Sequence, residues 1–263
     1  MQPDKNQPIG VFDSGLGGLS ILRELRELLP HENFIFLADQ AYVPYGEKTP
    51  AELIDRCLKI GEFLKNQDIK LMVVACNTAT CYALPALRQK YALLIVGTVP
   101  AIKPASEKTK TGVIGIISTE ATSKSKTLAD LITAHARDKQ VINIGCPNLE
   151  DTVEAGGLDS TDTNALLEKY LEPIKQSSAD CLVLGCTHYP FLKPAIVQVM
   201  EREIEIIDSG EAIAKRVKTL LANNETSASE GAVKYFTTSE PDQFNNIASK
   251  LLKEKIKAKT VQI

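Results

Sequence analysis

Two short stretches of this 263-residue chain set a cysteine in the same surroundings. "VACNTA" (74–79) and "LGCTHY" (184–189) place Cys76 and Cys186 at the ends of apolar runs and follow each at once with small hydrogen-bonding residues. Two thiols of this kind suit one reaction type, in which hydrogen leaves the α-carbon of an amino acid on one face and returns on the other. One sulfur acts as base and its counterpart as acid. A free thiol has a pKa of about 8.5, so holding a thiolate near neutral pH requires a local dipole or a hydrogen-bonding partner. The pattern predicts a helix N-terminus after each cysteine, His188 lies two residues past Cys186, and Asp13, ending another apolar run, is placed to partner Cys76. Ser14, Thr78, Thr119, Thr122 and Thr187 add hydroxyls beside the unpaired N–H groups of helix starts, a setting that suits carboxylates. The expected ligand therefore carries carboxylates.

The elements that must position these residues follow from periodicity. Eight β-rich runs, at 9–12, 33–38, 70–75, 93–97, 112–117, 140–144, 180–185 and 203–208, alternate with helical patterns. Continuous apolar strands separated by helices predict buried parallel sheets in an α/β fold. Leu22, Leu25 and Leu29 share one face of a helix over 19–29, as do Leu53, Cys57, Ile60 and Leu64 over 51–64. The polar stretch 223–231 is expected to be a solvated loop, and Pro241 opens a last helix through Phe244, Ile247 and Leu251.

An internal repeat joins these observations. Gly10-Val11-Phe12-Asp13-Ser14 aligns with Gly115-Ile116-Ile117-Ser118-Thr119 at an offset of 105, and Cys76-Asn77-Thr78 with Cys186-Thr187-His188 at an offset of 110. Two copies of one α/β half are expected, with all four segments at carboxyl ends of strands, where ligands of parallel sheets bind. If the halves face each other, the two cysteines stand on either side of one bound molecule.

Composition excludes several function classes. With 33 acidic and 30 basic side chains the formal charge is −3, which provides no broad field for a nucleic acid. The opening "MQPDKNQPIG" lacks an apolar core and no apolar run approaches bilayer length, so the reading is a cytoplasmic protein without a membrane span. Six cysteines in such a chain indicate reduced thiols. The oligomeric state is left open, a homodimer included.

Rival readings attach to the same residues. A lone cysteine is ordinarily a small buried hydrophobe, the reading kept for Cys57, Cys81, Cys146 and Cys181. Cys76/Cys81 and Cys181/Cys186 have a spacing near that of zinc pairs, but five positions apart on a strand Cys181 and Cys186 point to opposite faces, and no metal is expected. Gly15, Gly17 and Ser20 approximate a dinucleotide loop, with Asp39 where a ribose-binding acid would stand; the third glycine is missing and Asp13 would repel a pyrophosphate. Asp13 or Ser14 could instead cap the first helix, His188 could be structural, and a non-enzymatic binder of acidic amino acids would need the same loops but not two thiols.

Taken in order, "FDSGLGGLS" (12–20), "VPYG" (43–46), "ACNTAT" (75–80), "GCTHYP" (185–190) and "IIDSGEAIA" (206–214) resemble the glutamate racemases of the aspartate/glutamate racemase superfamily. The resemblance implies a cofactor-independent enzyme that interconverts L- and D-glutamate for peptidoglycan synthesis, with aspartate as the alternative substrate. It implies Cys76 and Cys186 as the acid/base pair, Asp13 assisting the first on D-glutamate and His188 the second on L-glutamate. Binding falls to Asp13, Ser14, Tyr45, Gly46, Asn77, Thr78, Thr187 and His188, with Thr119 and Thr122 added. The implied fold is two pseudo-symmetric α/β domains, 1–98 with 210–263 and 99–209, around a cleft. The chain departs from the family at Gln40 and Tyr42, where a small hydroxyl residue and an arginine are more frequent, and in "NLEDTVEAGG" (148–157), usually more hydrophobic. No supporting role is therefore assigned to Glu154.

Overall fold

The computed structural model describes residues 7–221 and 230–263. All but the last two residues of the expected loop 223–231 lie outside them. The chain divides into two compact units, Met1–Thr98 with Gly210–Ile263, and Val99–Ser209.

The first unit opens with β1 (Ile9–Asp13), α1 (Leu19–Leu28), β2 (Phe34–Ala38), α2 (Pro50–Lys65), β3 (Leu71–Val74), α3 (Asn77–Lys90) and β4 (Leu94–Gly97). The second holds α4 (Ile102–Lys108), β5 (Val113–Ser118), α5 (Glu120–Ser123), α6 (Lys126–His135), β6 (Gln140–Gly145), α7 (Leu149–Glu154), α8 (Thr161–Lys175), β7 (Cys181–Leu184), α9 (Lys193–Met200) and β8 (Glu205–Ile207). The chain then returns to the first unit with α10 (Gly210–Leu221), β9 (Val233–Thr237), α11 (Pro241–Leu252) and β10 (Ala258–Thr260).

The first sheet has the order β10-β9-β2-β1-β3-β4 and the second β6-β5-β7-β8, every ladder being parallel. All eight expected strands are present. β1, β2, β3 and β7 are buried along their whole length, as their unbroken apolar runs require. β6 differs: it is an edge strand whose residues are half-buried or exposed, because it has a neighbour on one side alone. On one face of the first sheet, α2 and α3 pack Leu53, Cys57, Ile60, Leu64, Ala83 and Leu87 against Phe12, Ile35 and Val74. On α1, Leu22 and Leu25 are buried, whereas Leu29 is the half-buried C-cap residue. Leu251 of α11 is also half-buried, outside the face formed by Phe244, Ile247 and Ala248.

Candidate active site

Each sheet has a point where the chain changes direction. From β1 it passes to β2 on one side and then to β3 on the other; from β5 it passes to β6 and then to β7. Beyond the carboxyl ends of such strands the loops part and leave a crevice, the usual ligand position in parallel α/β sheets. Asp13 ends β1 and Cys76 lies two residues past β3; Ser118 ends β5 and Cys186 lies two residues past β7.

In the first unit Cys76 is the N-cap of α3. Its sulfur accepts the amide N–H of Ala79 at 3.4 Å, the hydrogen bond normally taken by a serine or threonine oxygen. The Cys76 thiol also lies 3.7 Å from Ser14 Oγ, which in turn approaches Asp13 Oδ1 at 3.5 Å. Asp13 is fully buried and accepts the Gly15 amide at 2.9 Å, so its carboxylate is held by its own loop. Neither Asp13 nor Ser14 caps α1, whose N-cap residue is Gly18 with no side-chain bond. Asn77 heads α3, and its buried Nδ2 has no hydrogen-bond partner, an orphaned donor in a site read as carboxylate-binding. Thr78 is buried beside it. Tyr45 is also buried, with its hydroxyl donating to Asp39 Oδ2 at 2.6 Å; Gly46 is half-buried. That segment therefore presents backbone rather than a phenol. Burial, together with the neighbouring Cys57 and Asp39, raises the Tyr45 phenol well above its ordinary range.

In the second unit the setting of the thiol differs from expectation. No α-helix begins at Cys186: a 3₁₀ turn over Tyr189–Leu192 comes first, and α9 starts at Lys193. The polar partner is instead His188, whose Nδ1 lies 3.6 Å from Cys186 Sγ and whose Nε2 lies 2.7 Å from Glu154 Oε1. Burial raises the Cys186 thiol, against the lowering effect of the His188 hydrogen bond. Burial alone would lower His188, but its bonds to Cys186 and Glu154 outweigh that and hold the imidazole well above its ordinary range. Both directions favour the protonated forms, thiol and imidazolium. Thr119 caps α5, its Oγ1 accepting the Thr122 amide at 3.2 Å and meeting Thr122 Oγ1 at 3.0 Å. Thr122 is fully buried, and Thr187, next to Cys186, nearly so.

Sequence reasoning missed Asp39 as a hydrogen-bonding hub and Arg56, which grips it, and the doubt it cast on a supporting place for Glu154 is not matched by the structure, where Glu154 meets His188. Glu154 reaches His188 from 34 positions away, and no local pattern signals such a pair. Both features of the dinucleotide reading are engaged elsewhere, the Gly15 amide by Asp13 and the Asp39 carboxylate by Tyr45 and Arg56. Among the described residues no three His, Cys, Asp or Glu side chains are grouped to hold a metal ion, and no helix is long and apolar enough to cross a membrane. Of the remaining thiols Cys81 is half-buried, and Cys57, Cys146 and Cys181 are buried: burial raises Cys57, pushes Cys146 up to about 12 and Cys181 to about 11.

The chain is similar to known proteins over most of its length. The chain is 43% identical over 250 residues to the glutamate racemase of Pseudomonas syringae pv. tomato, covering 94% of this chain and 91% of that one. The glutamate racemase isoform RacE1 from Bacillus anthracis superposes with a TM-score of 0.89 at 31% identity, over 98% of both chains. The Escherichia coli glutamate racemase, solved in complex with L-glutamate and activator UDP-MurNAc-ala, gives a TM-score of 0.85 at 34% identity, over 96% of this chain and 97% of that one. Residues 9–217 match the Asp/Glu/Hydantoin racemase family, and with that match spanning both cysteine sites the chain belongs to this family.

Proposed function

We propose that this chain is a cofactor-independent glutamate racemase that works by two bases, Cys76 and Cys186. The observation that carries the reading is the equivalence of the two thiols, each two residues beyond the third strand in order of two sheets with matching topology. The glutamate-racemase relatives supply the substrate. Racemisation needs a base on one face of the α-carbon and an acid on the other. With D-glutamate, Cys76 as thiolate takes the α-proton while Cys186, resting as thiol, delivers its proton to the opposite face. L-glutamate results, and the two sulfurs have exchanged protonation states.

In the reverse direction the charged His188 stabilises the Cys186 thiolate that must form, and Glu154 stabilises His188. Asp13 acts beside Cys76, with Ser14 between them. The carboxylates of glutamate are assigned to Ser14, the Tyr45–Gly46 backbone, Asn77 and Thr78 from one unit and to Thr187, His188 and the Thr119–Thr122 turn from the other. D-Glutamate made this way would feed peptidoglycan assembly.

The test is circular dichroism of L-glutamate and L-aspartate incubated with the purified protein. The glutamate signal should decay to zero and the aspartate signal should persist; the opposite result reassigns the substrate. Cys76→Ala and Cys186→Ala should each abolish racemisation while Cys57→Ala retains it. Substantial turnover by either of the first two refutes the two-base reading.

A further inference from the structure

The loop that carries Tyr45 and Gly46 is tied down by a network no part of the proposed chemistry uses. Asp39, the residue after β2, is fully buried, and its carboxylate receives donors at every position it can offer. Arg56 on α2 grips both oxygens, Nε to Oδ2 at 2.8 Å and Nη2 to Oδ1 at 2.5 Å. Tyr45 donates to Oδ2 at 2.6 Å and Thr238, just past β9, to Oδ1 at 2.9 Å. A carboxylate so saturated has nothing left for a ligand. It is a joint.

Arg56 has a third grip. Its Nη1 donates to the backbone carbonyl of Ile263, and its guanidinium carbon lies 5.2 Å from the centre of the Tyr42 ring. Val261 and Ile263 pack on the core that α2 helps to form. Two further ties join the returning segment to the same loop: the Ala41 amide donates to Thr238 Oγ1 at 3.0 Å, and Thr237 Oγ1 donates to Gln40 Oε1 at 3.1 Å. Gln40 and Tyr42 are thus both members of the network.

We infer that Arg56, acting through Asp39 and the Ile263 carbonyl, is a positioning residue that holds the Tyr45–Gly46 turn in its ligand-binding place, with Thr238 as its second anchor. The inference rests on the reading that this turn meets glutamate. A turn fixed before the ligand arrives loses little freedom on binding, and releasing it weakens binding without touching the thiols. Lysine cannot replace Arg56, because a single ammonium cannot span two carboxylate oxygens and a distant carbonyl at once.

Steady-state racemisation and amide hydrogen exchange of the full chain test this together. Arg56→Gln should raise KM for both glutamate isomers about tenfold, the scale of one lost charge-assisted hydrogen bond, while kcat stays within about threefold. Arg56→Lys should not rescue KM, and Thr238→Val should raise it by a smaller factor. Exchange over residues 39–47 should quicken in all three variants. An unchanged KM in variants of an active enzyme overturns the inference, as does a fall in kcat with KM constant. Should the wild-type protein not racemise glutamate, the substrate reading fails by itself, and exchange over 39–47 still decides whether Arg56 holds the turn. If Arg56→Gln does not fold, Thr238→Val, which loses one hydroxyl, carries both readouts.

Discussion

His188 is raised by its bond to Cys186 and, after it, by its bond to Glu154. Burial opposes an imidazolium, and the hydrogen bonds to Cys186 and Glu154 prevail over it. Glu154→Gln keeps the shape of the contact but removes its charge and with it one of the two raising bonds, so the imidazole should titrate at lower pH. The alkaline limb of kcat/KM should then move to lower pH, and a limb that stays in place would show that His188 does not need the carboxylate. Stability follows the same sign. A histidine raised in the folded state contributes stability that is complete below its unfolded pKa of about 6.5 and is lost as pH rises through the folded value. The loss of thermal stability in Glu154→Gln should therefore be greatest in the acid range and shrink toward alkaline pH. At this scale the sequence shows both cysteines, Asp13 and His188 through local motifs. It hides Arg56, which meets its partners only after the chain has folded and sits in no recognisable pattern, and it leaves Glu154 undecided, because the unusual composition of 148–157 masks the contact with His188.

At the scale of elements, Cys76 does two jobs. It supplies the thiol of the proposed reaction and caps α3, whose first turn would otherwise leave the Ala79 amide unpaired. Cys76→Ser keeps an acceptor for that amide, whereas Cys76→Ala removes it at a cost of about 1 kcal/mol. Both variants should lose racemisation, but Ala should melt about 2–4 °C below Ser. Equal melting temperatures would mean that the sulfur does not cap the helix. Six of the eight strands legible in the sequence have continuous apolar runs, whereas β6 and β8, at the edges of the second sheet, interleave polar residues. β9, "VKYFT", mixes polar and apolar residues, and β10 is three residues of alanine, lysine and threonine at a sheet edge. β9 forms by adding to β2 and β10 by adding to β9, so their signal lies in those partners and not in their own composition. The helix expected directly after Cys186 fails for a local reason. Pro190 and Pro194 lack amide hydrogens, and the chain there takes a 3₁₀ turn before α9 begins.

For the molecule as a whole, the repeat read from two motif offsets reappears as one strand order used twice, β2-β1-β3-β4 and β6-β5-β7-β8. Gly10 and Gly115, the aligned glycines, serve the same purpose: a Cβ would come within 2.8 Å of Ile69 in one unit and 2.9 Å of Ile174 in the other. Such an architecture separates function from stability along the strands. The proposed site residues of the first unit gather at the carboxyl ends of its sheet. At the amino ends, just before β2 and β3, Lys70 and Glu32 form a buried ion pair with Nζ 2.5 Å from Oε2 and the lysine side chain 0% exposed. Removing one partner of such a pair strips a buried charge of its counter-ion, which costs about 3–5 kcal/mol, whereas replacing both with apolar groups of similar size is often neutral. Glu32→Ala should therefore lower the urea midpoint sharply, and Glu32→Leu combined with Lys70→Met should recover most of the loss. Because the pair is at the far end of the strands from Asp13 and Cys76, folded Glu32→Ala should retain the wild-type kcat/KM for glutamate. A large fall in kcat/KM under conditions where the variant is fully folded would show that the two ends of the sheet are coupled, and the separation of roles along the strands would not hold.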